Sequence, residues 1–226
     1  PTEACLNVLA EKAGINLNDN HIWAPRIKEI PFDSDRKRMT TVHKLEAGLD
    51  GSHHISITKG APKEVMELCS DYYDNQGMIV SLTATERQAI LAANDQFARD
   101  GLRVLAVAYR PLDSEHVGED KWDMQTLEDN MVFLGLVAMS DPPRQGVREA
   151  IEKCHRASIR IIMVTGDYGL TALSIAKKIG IVQGDDARVV SGLELADMDD
   201  NQLKEALKGE IDFARVAPEQ KYRVVN

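Results

Sequence analysis

The stretch that most constrains this chain runs from Ile159 to Ile181, IRIIMVTGDYGLTALSIAKKIGI. Ile161-Ile162-Met163-Val164 is a short apolar, largely β-branched run of the kind that forms a buried strand. It breaks at Thr165-Gly166-Asp167. Beyond the break Ala172, Ile175, Ala176 and Ile179 recur at i, i+3, i+4 and i+7, one face of a helix, and Gly180 stands where such a helix ends. A strand that turns into a helix through Thr-Gly-Asp sets a hydroxyl, a permissive backbone and a carboxylate at the carboxyl edge of a parallel sheet. In open α/β sheets that edge binds ligands. The hydroxyl and exposed N–H groups suit a phosphate, and the carboxylate suits a metal or a ribose.

The surrounding pattern is helix to about Ala157, strand over Ile159 to Val164, helix, loop, helix over Asn201 to Lys208, strand over Ile211 to Ala214, and helix. That alternation predicts a parallel α/β unit. Asp141 is placed to cap its first helix and Pro142 to open it. Before Met139 the pattern differs. A helix over Thr2 to Ala13 and a polar connector from Asn16 to His21 lead into alternating strands over Arg26 to Phe32, Arg38 to Leu45 and His54 to Lys59, separated by turn residues. Pro62 opens a helix over Lys63 to Cys69, and Met78 to Leu82 reads as a short strand. Thr83 with Glu86 starts a long helix to about Asp100 with Ile90, Ala93 and Phe97 inward. Strands over Leu102 to Tyr109 and Met131 to Met139 flank an acidic loop, Pro111 to Lys121. The expectation is an α+β unit with an antiparallel sheet over residues 1–138, followed by a partial α/β unit over 139–226.

Composition narrows the function. A formal net charge of −9 and a pI near 5.2 leave no basic footprint for nucleic acid. Cys5, Cys69 and Cys154 are widely spaced, which argues for reduced thiols rather than a disulfide framework or zinc site. No apolar run approaches the ~20 residues that span a bilayer, so the chain reads as soluble. Its start at Pro1 and its stop inside an apolar run at Val224-Val225-Asn226 read as those of a piece of something longer.

Six motifs follow one another in order: Phe32-Asp33-Ser34-Asp35-Arg36-Lys37-Arg38-Met39, Lys59-Gly60-Ala61-Pro62, Gly101-Leu102-Arg103, Asp141-Pro142-Pro143-Arg144, Met163-Val164-Thr165-Gly166-Asp167 and Ala214-Arg215-Val216-Ala217-Pro218-Glu219-Gln220-Lys221. Together they resemble, nearly end to end, the cytoplasmic part of P-type cation-transporting ATPases of the calcium and sodium/potassium pump branch. The resemblance implies a nucleotide-binding (N) domain followed by part of a haloacid-dehalogenase-like phosphorylation (P) domain. It implies that Phe32 stacks on adenine with Glu3 by its amino group, that Lys59 and Gly60 line the adenine pocket, and that Lys37 and Arg103 face the phosphates, with Leu105 as an apolar contact. It further implies that Thr165 and Gly166 hold the γ-phosphate, Asp167 and Arg215 lie near the ribose, and Lys221 neutralises the transferring phosphoryl group. Thr165, Asp167 and Lys221 are thus the catalytic candidates, and Asp141, Pro142, Pro143 and Arg144 the hinge. ATP and Mg2+ are the implied cofactors. The implied partners are the rest of a membrane-integral pump: actuator domain, remaining phosphorylation domain and membrane helices, with this part on the cytoplasmic face.

Taken singly, each residue has a plainer role. Phe32 suits a core, Arg36-Lys37-Arg38 a solvated strand end, Lys59 an exposed strand terminus, and Thr165-Gly166-Asp167 a common capped turn. His53 and His54 point to opposite faces of a strand and do not share a metal easily. There is no G-x-x-x-x-G-K-[ST] and no G-x-G-x-x-G after a strand, which argues against P-loop and Rossmann sites. The family's Asp-Lys-Thr-Gly-Thr segment, with its phosphorylated aspartate, would precede Pro1, and its magnesium-binding Gly-Asp-Gly-x-Asn-Asp would follow Asn226. The chain is therefore expected to bind ATP without turning it over. Ser34 replaces an arginine common in animal calcium pumps, and Tyr168 an Asn or His. The alternatives are a soluble dehalogenase-like phosphatase and a non-catalytic nucleotide sensor. Calcium is the expected ion only through the nearest branch of the family.

Overall fold

The alternation between Arg26 and Gly60 builds the first sheet. The computed structural model describes residues 2–16, 24–49, 51–112, 122–140, 142–182, 187–209, 211–216 and 218–225. Strands β1 (Arg26–Asp33), β2 (Arg38–Leu49) and β3 (Ser52–Gly60) form the expected antiparallel meander. They belong to a seven-stranded sheet of order β1-β2-β3-β6-β7-β4-β5, completed by β4 (Cys69–Tyr73), β5 (Ile79–Ser81), β6 (Arg103–Leu112) and β7 (Met131–Met139). Helices α1 (Thr2–Lys12), α2 (Pro62–Met66), α3 (Ala84–Arg99) and α4 (Met124–Leu127) accompany them.

The sheet is mostly but not wholly antiparallel. The segment expected to be helical to Cys69 leaves the helix at Met66 and runs on as β4, which pairs in parallel with β7. Burial explains the change: Val65, Met66, Cys69 and Leu82 join Ala106, Ala108, Met131 and Phe133 in one core, and a strand lets Cys69 enter it beside Met131. The inward face of α3 is also rotated from expectation. Ala93 and Phe97 are exposed, Asn94 and Ala98 are buried, and Ile90 and Leu91 pack on the core. Arg87 reaches across to the carbonyl of Met66, at the open end of the short α2, and to that of Cys69, where β4 begins.

A second, smaller sheet is entirely parallel. Its order is β8-β10-β9, with β8 (Met163–Val164), β9 (Arg188–Ser191) and β10 (Ile211–Ala214). Around it lie α5 (Val147–Arg156), α6 (Gly169–Ile179), α7 (Gly192–Asp197), α8 (Asp200–Ala206) and α9 (Pro218–Val225). Val190, Leu195, Leu203, Phe213 and Val216 form its core. Gly180 caps α6 with φ 85°, as its position suggested. Between Ile181 and Asp200, read as loop, the chain makes β9 and α7. The signal there is local: Ser191 and Glu194 form a reciprocal capping box, as do Asp199 and Gln202 for α8.

Two expectations in this region are corrected. The helix does not open at Pro142 but at Val147, behind Gly146 with φ 82°, because Pro143 drives the residue before it out of helical geometry. The strand expected from Ile159 shrinks to Met163–Val164, the two residues of that run that pair with β10.

Contacts group the chain into two compact units, Pro1–Asn94 with Val104–Val137 and Asp95–Arg103 with Ala138–Asn226. The connector at 17–21, the loop at 113–121, Asp141 and the side chain of Glu3 lie outside the described residues. No described helix is long and apolar enough to cross a membrane.

Candidate functional site

In the first unit, the sequence Asp33 to Lys37 makes a tight turn between β1 and β2. The Asp33 carboxylate accepts from the backbone N–H groups of Asp35 (2.9 Å) and Arg36 (2.8 Å), and the Lys37 N–H donates to the Asp33 carbonyl at 2.7 Å. The N–H bond from Arg36, more than the neighbouring charge, holds the Asp33 carboxyl below its ordinary pKa. Lys37 itself adopts φ 54°, left-handed backbone that costs a non-glycine residue energy. The β3 end holds it there. Ala61 N–H donates to the Lys37 carbonyl (2.9 Å), and Gly60 packs so closely that a Cβ would lie 2.5 Å from that oxygen. A glycine is required at position 60 by this close approach of two strands.

Register decides which residues share a face. Gly60 lies opposite Arg38, Lys59 opposite Met39 on one side and Val107 on the other. Between Ile30↔Thr40 and Asp33↔Arg38, β1 carries one extra residue. Such a bulge rotates the strand beyond it, and counting back from Asp33 puts Phe32 opposite Met39. Directly opposed strand residues point to the same face. Phe32, Met39, Lys59, Val107 and, two residues along, Leu105 therefore line one face, while Thr40, Thr58, Ala106 and Ala108 are buried on the other. Phe32 is 63% exposed, so the core role that a lone phenylalanine suggests does not apply. Met39, Lys59, Leu105 and Val107 are half-buried. The result is a shallow apolar floor with an exposed ring at one edge and a cation within it.

Behind this floor the three basic residues of the turn separate. Arg36 and Arg38 are not a solvated patch: both grip the buried carboxylate of Glu128. Arg36 Nη1 donates to both oxygens (2.8 and 2.9 Å), Arg38 Nε to Oε2 (2.8 Å) and Thr40 Oγ1 to Oε1 (2.7 Å). Burial alone would raise the Glu128 pKa, but the bonds from Thr40, Arg36 and Arg38 outweigh it and hold the carboxyl below its ordinary value. Lys37 turns away to Glu64 on α2, Nζ to Oε1 3.2 Å. Sequence reasoning missed Glu128 because nothing local ties it to an arginine 92 residues earlier. Met39 was within reach, since the pairing of β2 with β3 places it beside Lys59.

In the second unit the Thr165-Gly166-Asp167 turn is fastened to the chain leaving β10. Thr165 N–H donates to Phe213 O (2.9 Å), Arg215 N–H to Asp167 O (3.0 Å) and Val216 N–H to Thr165 O (3.1 Å), while Thr165 Oγ1 accepts from Asp167 N–H (3.1 Å). Gly166 is exposed, and no atom lies within 4 Å of where a Cβ would stand, leaving its backbone open to approach. Arg103 Nη2 donates to Asp167 Oδ1 at 2.6 Å. Arg215, with φ 54°, lays its guanidinium 5.0 Å from the centre of the Tyr168 ring, and the Tyr168 hydroxyl donates to Asp95 at 2.9 Å. Burial first, then Asp95, raises the Tyr168 pKa. The unit thus gathers Thr165, Gly166, Asp167, Arg215 and Arg103. Lys221 stands exposed on α9, and Pro142, Pro143 and Arg144 are exposed ahead of α5.

An apolar floor with one exposed ring and a cation within it suits a flat heterocycle bearing negative charge. A search against known families matches residues 1–146 to the P-type ATPase cytoplasmic domain N. The chain belongs to that family. Relatives of this N domain chain cover it widely. The calcium-transporting ATPase 1 of Bacillus cereus is 38% identical over 225 residues, all of the chain and 24% of the relative. Its namesake in Lactococcus lactis is 36% identical over 227 residues, again 100% of the chain and 24% of the relative. The rat sodium/potassium-transporting ATPase subunit alpha-4 is 34% identical over 229 residues, covering 89% of the chain and 22% of the subunit. The chain spans about a quarter of the length of the first relatives it matches. The resemblance carried by the six motifs is therefore borne out at the level of the family.

Proposed function

We propose that this chain is the ATP-binding cytoplasmic part of a membrane P-type ATPase, with residues 1–138 as the nucleotide-binding domain and 139–226 as part of a dehalogenase-like phosphorylation domain. The parent would couple ATP hydrolysis, through an aspartyl-phosphate, to cation transport. The names of the Bacillus and Lactococcus relatives favour calcium. The observation that carries the reading is Phe32, an aromatic ring left 63% exposed beside Met39 and Lys59. A ring so exposed gains little from folding, and its apolar face is open for a ligand to bury.

In this reading adenine stacks on Phe32 over the floor of Met39, Leu105 and Val107, with Lys59 and Gly60 at its edge. Lys37 meets the phosphates. Arg103 joins Lys37 in meeting the phosphates. In the second domain Thr165 and the open backbone of Gly166 receive the γ-phosphate, Asp167 and Arg215 lie by the ribose, and Lys221 offsets the charge of the transferring phosphoryl group. Phosphoryl transfer depends chiefly on such positioning and charge. The described residues contain no cluster of three or more His, Cys, Asp or Glu side chains able to hold a metal, so no residue is assigned to magnesium. The chain holds neither Asp-Lys-Thr-Gly-Thr nor Gly-Asp-Gly-x-Asn-Asp, and binding without turnover is expected of it.

The test is an ATP titration with and without magnesium on the wild type, Phe32→Ala and Lys59→Ala, with phosphate release measured alongside. Saturable binding lost in both variants, with no phosphate released, supports the proposal. Unchanged affinity in both variants, or steady hydrolysis by the purified chain, refutes it.

A further inference from the structure

We infer that Glu128 is a positioning residue for phosphate recognition: it acts through Arg36 and Arg38 to set the cation Lys37. The inference rests on the nucleotide reading above. Lys37 sits in left-handed backbone, and both of its neighbours are tied to one carboxylate. Glu128 Oε1 accepts from Arg36 and Thr40, and Oε2 from Arg36 and Arg38, so the four acceptor sites of the carboxylate are filled. Thr40 is itself 2.7 Å from Thr58 Oγ1 on β3, which locks the clamp to the sheet.

The segment that carries Glu128 is held just as firmly from the other side. Ser56 Oγ donates to the Leu127 carbonyl (2.9 Å), and Arg110 Nη1 donates to the carbonyls of Thr126 (2.7 Å) and Asp129 (2.9 Å). Glu128 is therefore a rigid post, its side chain 3% exposed, that adds a side-chain anchor to a turn whose backbone is tied at Asp33 and Ala61. Its charge matters as well as its shape. It pairs with both Arg36 and Arg38 and offsets one of their two positive charges, and Lys37 is the one member of the basic triplet that turns away from the clamp. A cation held in place loses less freedom on meeting a phosphate than one on a mobile loop.

The whole chain is titrated with ADP and with adenosine, for the wild type, Glu128→Gln, Glu128→Asp, Lys37→Ala and the Glu128→Gln/Lys37→Ala double variant. Glu128→Gln is expected to weaken ADP about tenfold and adenosine less than twofold, because the purine floor does not depend on Lys37. Lys37→Ala added to it should cost less than a further twofold, and Glu128→Asp, which keeps the charge, should recover part of the loss. Equal weakening of ADP and adenosine, fully multiplicative losses in the double variant, or tighter ADP binding by the released arginines would overturn the inference. If Glu128→Gln does not fold, Arg38→Gln poses the same question: selective loss of ADP supports the clamp and equal loss overturns it. A wild type that binds neither ligand overturns the nucleotide reading and this inference with it.

Discussion

Gly60→Ala tests the packing on which the candidate site depends. A Cβ built on Gly60 lies 2.5 Å from Lys37 O, 2.6 Å from Arg38 Cβ and 2.7 Å from Arg38 Cα, where ordinary contact begins at 3.4 Å. Two of these atoms are backbone, so relief requires β2 and β3 to part by 0.7 to 0.9 Å, the differences 3.4 − 2.7 and 3.4 − 2.5. That movement would stretch the 2.9 Å bond from Ala61 N–H to Lys37 O beyond hydrogen-bonding range. Overpacking costs about 1–3 kcal/mol and the lost bond about 0.5–1.5 kcal/mol, for a total of about 1.5–4.5 kcal/mol. The melting temperature should fall on the order of 10 °C. Trp122 is buried in the first unit, so the change in tryptophan emission during heating reports on it. Gly77→Ala is the control: its φ of 75° brings strain but nothing lies within 4 Å of a Cβ, so the cost should be only about 1–2 kcal/mol. A Gly60→Ala variant within about 0.5 kcal/mol of wild type would refute the close approach of β2 and β3, and with it the seating of Lys37.

Three further outcomes follow from the same geometry. Glu128 titrates below its ordinary value in the fold, so its contribution is complete above the unfolded glutamate pKa, about 4.3, and is lost as pH falls through the folded value. Urea denaturation between pH 6 and 3 should show the first unit weakening on the acid side, with a shallower decline in Glu128→Gln. Glu64→Gln removes an ion pair from Lys37 whose partners are 18% and 38% exposed; at about 0.2–1 kcal/mol for such a pair, ADP should bind up to about fivefold tighter. Cys69 is buried, which pushes its thiol up to about 12, so a disulfide reagent at neutral pH should spare it in the native chain and modify it in urea.

Much of this molecule was legible without coordinates, and the legible parts share a cause. The β1–β2–β3 meander, α6 with its Gly180 cap, and the Thr165-Gly166-Asp167 turn all rest on periodicity and on residues with one dominant backbone use. Their signals lie within a few positions of one another, so the order of residues is enough to read them. The candidate residues Phe32, Lys37 and Lys59 were legible through the order of motifs rather than through any one of them.

The rest was decided between distant parts of the chain. Whether Cys69 continued a helix or began β4 depended on a core assembled from α2, β6 and β7, and on a parallel partner more than sixty residues away. The register shift that sets Phe32 against Met39, and so on the face of Lys59, comes from one extra residue against a neighbouring strand. Arg36 and Arg38 looked like surface charge because their partner, Glu128, enters only when the segment before β7 is laid under the sheet. Local order thus determined the elements whose signals lie within a few positions of one another, and the order of the motifs supplied the candidate residues. Tertiary packing decided which of them face the same way and which cations remain available, because burial and charge pairing are properties of neighbours in space.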